Sequence, residues 1–128
     1  MPAGNPRLRG RAQRGRAAET AAAAFLARRG FVVLERNVVA GGVELDLVAI
    51  DGDWIVFVEV RSRATARFGD PALSVDWHKQ RRLARGAHAW LRRNRASRRC
   101  ARFDVIGVVW EGGRPRISHY RDAFSSPF

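Results

Sequence analysis

Apolar positions along the chain recur with two different periods, and the switch between them lays out the elements. Over residues 11–29, Ala18, Ala22, Phe25, Leu26 and Arg29 fall at helical spacing in an alanine-dominated stretch, and Gly30 follows as a C-terminal cap. β-Branched residues then take over. Residues 31–34 and 36–39 read as a strand, Gly41-Gly42 as a turn, residues 43–50 as a second strand and residues 54–63 as a third. Asp51-Gly52-Asp53 between the last two is a hairpin signal. After a loop over residues 64–73, centred on Gly69-Asp70-Pro71, helical spacing returns over residues 75–93, with Ser74 as its N-cap. That second helix carries Leu83, Ala84, Ala87, Trp90 and Leu91 on one face and Lys79, Arg82, Arg85, Arg92 and Arg93 on the other. A basic loop over residues 95–99 leads to strands at 103–110 and 116–120. The predicted order is αβββαββ, an α/β sheet of about five strands flanked by helices.

At 128 residues and 46% hydrophobic content, the chain suits one domain with a real core, expected over residues 11–124. Residues 1–10 read as a flexible basic arm and 125–128 as a tail. The first 18 residues hold five arginines and no acid, which mimics a transit peptide, but they lack the apolar core of a secretory signal. No apolar run approaches the roughly 20 residues needed to span a bilayer, so no membrane partner is expected. Cys100 is the single cysteine, which excludes an internal disulfide and suits a reducing, cytoplasmic setting. Charge changes the picture most. There are 24 basic residues against 12 acidic, a formal net charge of +12, and every basic residue except Lys79 is arginine. Such a surplus points to a polyanionic partner, nucleic acid and DNA first, with Lys79, Arg82, Arg92, Arg93 and Arg95 as candidate phosphate contacts. Arginine scattered as solubilising surface is the competing reading.

Strand three is nearly continuous in apolar residues, as expected of a strand covered on both faces, yet it contains Glu59. An ionised carboxylate there is costly unless paired or bound to a cation. Arg61 lies two residues on, and Glu44 and Asp46 are two apart on strand two, so strict alternation puts each pair on one face. If Gly52-Asp53 forms the hairpin turn, Asp46 falls opposite Glu59 and Glu44 opposite Arg61. Opposed carboxylates about 5 Å apart repel, and a divalent cation such as Mg2+ or Mn2+ would remove the repulsion. A structural salt-bridge network of the same four residues is the other reading of this pattern.

The chain resembles the bacterial YraN family, which is similar to Holliday-junction resolvases and other PD-(D/E)xK, restriction-endonuclease-like nucleases. The likeness runs from Gly15 to Phe124 and is carried by Glu19-Thr20-Ala21-Ala22, Arg36-Asn37, Glu44-Leu45-Asp46-Leu47-Val48-Ala49 and Val56-Phe57-Val58-Glu59-Val60-Arg61-Ser62-Arg63. Phe68-Gly69, Lys79-Gln80-Arg81-Arg82-Leu83, Arg102-Phe103-Asp104-Val105 and Ala123-Phe124 complete it. The resemblance implies a restriction-endonuclease-like sheet and a metal site formed by Glu19, Asp46, Glu59 and the carbonyl of Val60, with Glu44 and Gln80 supporting it. Asp46, Glu59 and Arg61 become the catalytic candidates. Two positions depart from the family pattern: Val43 stands where glycine usually precedes Glu44, and Arg61 stands where lysine usually follows Glu-Val. A guanidinium is effectively always charged and cannot act as a base, although it can stabilise charge on phosphate.

Three functions follow as expectations: a metal-dependent endonuclease-like protein acting on branched DNA, a non-catalytic nucleic-acid-binding module, or a protein-interaction adaptor. A homodimer is expected by analogy with two-fold resolvases. His78, His88 and His119 share no metal-ligand spacing and read as surface or capping histidines, His119 at a sheet end. Trp90 and Trp77 read as core, with a base-stacking platform as the alternative for Trp77.

Overall fold

The computed structural model describes residues 6–126 apart from 66 and 68, with side chains from residue 15 onward. Helix α1 spans Pro6–Arg28, and strands β1 (Val32–Ala40), β2 (Val43–Asp51) and β3 (Trp54–Arg63) follow as an antiparallel meander. A short 3-10 turn, Pro71–Ser74, leads into helix α2 (Trp77–Arg93), and β4 (Cys100–Glu111) and β5 (Arg114–Phe124) close the chain. The sheet order is β1-β2-β3-β4-β5, with β3 and β4 parallel and every other pair antiparallel. The helical crossover carried by α2 is what a parallel β3–β4 pair requires. This mixed five-stranded α/β sheet flanked by two helices, in the order αβββαββ, is the fold the sequence pattern predicts.

Each helix covers one face of the sheet. Ala18, Ala22 and Leu26 of α1 are buried with Leu47, Ala49, Val56, Val58, Ile106 and Val108. Their spacing of four puts them in one row, and the two small alanines let the helix lie close to the strands while Leu26 fills the core. On the other face, Leu83, Ala84, Ala87, Trp90 and Leu91 of α2 pack on Val43, Leu45, Val48, Ile55, Phe57 and Phe103. Gly86 lets this helix approach the sheet, since a Cβ there would meet the Val43 Cβ at 3.0 Å. Trp90 adds a polar tie, its Nε1 donating to Glu35 at 2.7 Å.

Several elements differ from their sequence-based bounds. Helix α1 begins at Pro6 rather than residue 11; of the expected basic arm, residues 1–5 lie outside the described residues, as do 127–128 of the tail. Helix α2 is capped by Asp76, whose carboxylate accepts the Lys79 N–H at 2.9 Å, and not by Ser74. Ser74 ends the 3-10 turn, which Asp70 caps by accepting the Ala72 N–H. β4 and β5 are both longer than the apolar runs suggest. β5 reaches from Arg114 to Phe124 because it is an edge strand, where polar side chains are tolerated and even favoured. Among the described residues no helix is long and apolar enough to cross a membrane.

Candidate functional site

The β2–β3 hairpin turns on Gly52-Asp53, with Gly52 at φ +59°, and Asp51 pairs with Trp54. Its ladder runs from there to Leu47↔Val58 and stops. Beyond that point β2 continues beside β1 and β3 beside β4, so the sheet forks. Asp46 and Glu59 occupy the next position after the last paired residues, at the crotch of the fork. The Val60 N–H, which has no ladder partner on β2, donates to Asp46 Oδ2 at 2.9 Å. In a strand the N–H and C=O of one residue point the same way, so the Val60 carbonyl faces this fork as well.

Simple alternation fails on β2 at this point. Leu45 joins the α2-side core and Leu47, two residues on, joins the α1-side core. The change coincides with a bulge in β1 between Val33 and Glu35 and with Asn37 at φ +52°, in the gap between Arg36↔Leu47 and Val38↔Leu45. The extra twist brings Asp46 within reach of both faces. Glu44 does not pair with Arg61. It lies opposite Val39 and is exposed.

Glu59 is 5% exposed and Asp46 half-buried. The two carboxyl groups are neighbours at the end of the ladder, close enough that the charge of one disfavours the charge of the other. Burial, and then the charge of Glu59, pushes the Asp46 carboxyl up to about 7, and burial raises Glu59 as well. Two cations flank Glu59 Oε1: Lys79 Nζ, from the first turn of α2, at 3.5 Å and Arg61 Nε at 3.6 Å. Both are near enough for Coulombic attraction but long for charge-assisted hydrogen bonds. Glu59 Oε2 remains buried without a hydrogen-bond partner, and so does Glu19 Oε2 on the α1 side. Burial, and then repulsion from Asp46 and Glu44, raises the Glu19 carboxyl against the lowering influence of the Asn37 and Arg36 side chains.

The residues present fit a hard divalent cation. Two carboxyls in contact must hold a proton or a positive ion, and an orphaned buried carboxylate oxygen is an unspent ligand. Asp46, Glu59 and the Val60 carbonyl make a sparse oxygen set of the kind Mg2+ or Mn2+ completes with water and phosphate oxygens. The interstice of about 10 Å³ beside the pair is lined mostly by apolar core side chains, Phe57, Leu83, Phe103 and Phe124 among them, so an ion's water and phosphate ligands would have to come from the open end of the fork. Among the described residues no three His, Cys, Asp or Glu side chains form a ready-made metal cluster, so Glu19 stands near the pair without joining it.

The remaining candidates spread over the surface. Gln80 donates to the Val75 carbonyl at 3.1 Å, fixing the start of α2. Arg93 donates to the Val39 carbonyl at 3.0 Å, a structural tie. Arg82 and Arg95 are exposed. Arg92 lines an open depression of about 450 Å³ on the outer face of α2, together with Arg81, Arg85 and His88. Trp77 is 54% exposed rather than core, with the Arg81 guanidinium 5.7 Å from its ring centroid, whereas Trp90 is core as expected.

Sequence reasoning missed one centre. Asp104 is fully buried in β4 and accepts from Arg102 at 3.0 Å, from the Asp122 N–H at 3.0 Å and from His119 at 2.8 Å. His119 is therefore no surface histidine. Its side chain is 7% exposed and its ring lies edge-on to Phe25 and Phe31. Arg102 continues to Asp51 at 2.8 Å, tying β4 to the hairpin turn. An acid inside an apolar run was the available signal, the same one that singles out Glu59.

Fold and site together define a small basic α/β domain built around a buried carboxyl pair. The chain belongs to the uncharacterised protein family UPF0102, the YraN family, whose model matches residues 18–108. A UPF0102 protein of Geobacter metallireducens is 43% identical over 106 residues, 83% of this chain and 87% of that protein. One from Anaeromyxobacter sp. (strain Fw109-5) is 44% identical over 114 residues, covering 89% and 86%, and one from Myxococcus xanthus is 43% identical over 116 residues, covering 91% and 92%. The matched span contains Glu19, Asp46, Glu59, Arg61 and Lys79 and leaves β5 outside it.

Proposed function

We propose that this chain is a divalent-metal-dependent, endonuclease-like protein that acts on nucleic acid, DNA first. The observation that carries the reading is the juxtaposition of Asp46 and Glu59 at the fork, with Glu59 Oε2 buried and unpartnered. Asp46, Glu59 and the Val60 carbonyl would hold Mg2+ or Mn2+, and such an ion polarises a phosphate and makes bound water nucleophilic. The chain's own residues do the rest. The Val60 N–H fixes the Asp46 carboxylate, Arg61 holds positive charge beside Glu59, and the acid-free helix α2 presents arginines that attract phosphates without reading bases. Branched DNA and a two-fold dimer suit shape recognition of this kind, and a reducing, cytoplasmic compartment suits the lone exposed Cys100.

A second reading, a non-catalytic nucleic-acid-binding module, is favoured by one observation: Arg61 and Lys79 already neutralise Glu59 as an ion-pair cluster. Cleavage of labelled four-way junction, flap and linear DNA in Mg2+ or Mn2+ separates the two. Cutting by wild type that Glu59→Ala abolishes supports the enzyme. No cutting by wild type, with tight salt-sensitive binding that survives Glu59→Ala, supports the module.

A further inference from the structure

We propose that Lys79 is the substrate-facing cation of this site, its ammonium contacting the phosphodiester held against Asp46 and Glu59. This rests on the reading of the fork as a phosphodiester site. Of the 24 basic residues, 23 are arginine, and the one lysine stands at the carboxyl pair. The one ammonium of the chain stands where Asp46 and Glu59 meet, beside the guanidinium of Arg61.

The chemistry separates the two groups. Guanidinium is a planar fork that rewards one fixed bidentate partner, whereas an ammonium is a compact charge whose three donors rotate freely between partners. Lys79 has the freedom to change partner. Its backbone is fixed by the Asp76 cap at 2.9 Å, but its side chain is 29% exposed and its one ion pair, at 3.5 Å, is longer than a charge-assisted hydrogen bond. Arg61 meets the same Glu59 oxygen at 3.6 Å through its Nε, and that nitrogen is buried although the side chain as a whole is 34% exposed. With its Nε buried against Glu59, Arg61 has only its outer guanidinium nitrogens to offer, whereas the Lys79 ammonium can turn as a whole toward a phosphoryl oxygen as charge builds there.

The single lysine makes the test direct. Reductive 13C-methylation of the full chain gives one lysine signal, identified by its loss in Lys79→Arg. The expected result is a shift of that signal when flap DNA is added in Mg2+, and a weaker or absent shift with Mg2+ alone. Cleavage by Lys79→Met should fall about 100-fold, the scale for removing one charge-stabilising donor, while its DNA affinity stays within about threefold. A lysine signal indifferent to DNA overturns the proposal, whatever the wild type cuts. So does unimpaired cleavage by Lys79→Met. If the signal moves with DNA but the wild type cuts nothing in Mg2+ or Mn2+, the phosphate contact stands and the nuclease reading falls.

Discussion

The backbone N–H of Val60 donates to the Asp46 carboxylate at 2.9 Å, so Asp46 ties β2 to β3 at the point where their ladder stops. That gives Asp46 a structural role beside the proposed ligand role, and two substitutions divide them. Asp46→Asn keeps an acceptor for Val60 and should unfold within about 1 kcal/mol of wild type. Asp46→Ala strands the Val60 N–H and should cost about 1–3 kcal/mol. Both should lose Mn2+ binding. Urea denaturation and calorimetric Mn2+ titration of the two variants check the split, and equal stability of the two would dismiss the structural role.

The same carboxyl makes metal-free stability depend on pH. Burial and the neighbouring Glu59 raise Asp46 from an ordinary value of 3.8 to about 7. For an acid whose folded value is raised, the stabilising proton is fully in place below the unfolded value, and its contribution is lost as pH climbs toward the folded one. In chelator, stability should therefore decline between about pH 4 and 7. Asp46→Asn should flatten that decline, and saturating Mg2+ should offset it by standing in for the proton. Melting curves across this range, with and without chelator, decide the matter.

Asp104 is linked to pH with the opposite sign. Burial works to raise its carboxyl, but the hydrogen bonds from His119, Arg102 and the Asp122 N–H outweigh it and hold Asp104 below its usual range. Its contribution is present above the ordinary value of 3.8 and is lost as pH falls through the depressed one. Asp104→Ala leaves the Arg102 guanidinium and His119 without their shared partner and should cost about 3–5 kcal/mol. Chemical denaturation measures this loss. The folded fraction should still bind Mn2+, because Asp104 spends its hydrogen bonds on Arg102, His119 and the Asp122 N–H rather than on Asp46 or Glu59.

Much of this was legible in the sequence because apolar periodicity survives into the fold. The stripes Ala18/Ala22/Leu26 and Leu83/Ala84/Ala87/Trp90/Leu91 are buried as read, and Gly52-Asp53 sets the hairpin register that brings Asp46 next to Glu59. What escaped depends on backbone geometry that pattern does not encode. The left-handed Asn37 and the β1 bulge switch the face of β2, so Leu45 and Leu47 part and Glu44 never meets Arg61. The cap of α2 is Asp76, and Trp77, the first residue of the helix, stays exposed. Lys79 was legible as a basic residue, but its position at Glu59 follows only from where α2 lands on the sheet.

Gly107 shows how closely the turn before α2 is fitted to the sheet. A Cβ at this position would collide with Asp70 Oδ1 and meet Ser118 Oγ at 2.8 Å and the Ala72 N at 3.1 Å. Asp70 also accepts from Tyr120 at 2.7 Å and from Ser118 at 3.0 Å, so it cannot yield freely. Gly107→Ala should cost about 1–3 kcal/mol through this overpacking. Hydrogen exchange should locate the loosening in the Pro71–Ser74 turn, and an unchanged midpoint in urea would contradict the fit.

Helix α2 carries six basic residues and no acid, and its outer face bears Arg81, Arg85 and Arg92 around one open depression. Spaced by four and seven residues, these guanidiniums span about 16 Å along the axis at 1.5 Å per residue, a reach of several phosphates on one strand. Interactions there are exposed and long-range, so they govern affinity and salt dependence rather than chemistry. Each arginine that neutralises a phosphate contributes about 0.9 to the slope of log affinity against log salt on duplex DNA. Replacing all three by glutamine should lower that slope by about 2–3 and weaken every DNA shape alike, while leaving Mn2+ binding at Asp46 and Glu59 unchanged. Fluorescence anisotropy over a salt series measures both. A slope untouched by the triple variant would move the phosphate path off α2 and onto the loop that carries Arg95, Arg98 and Arg99.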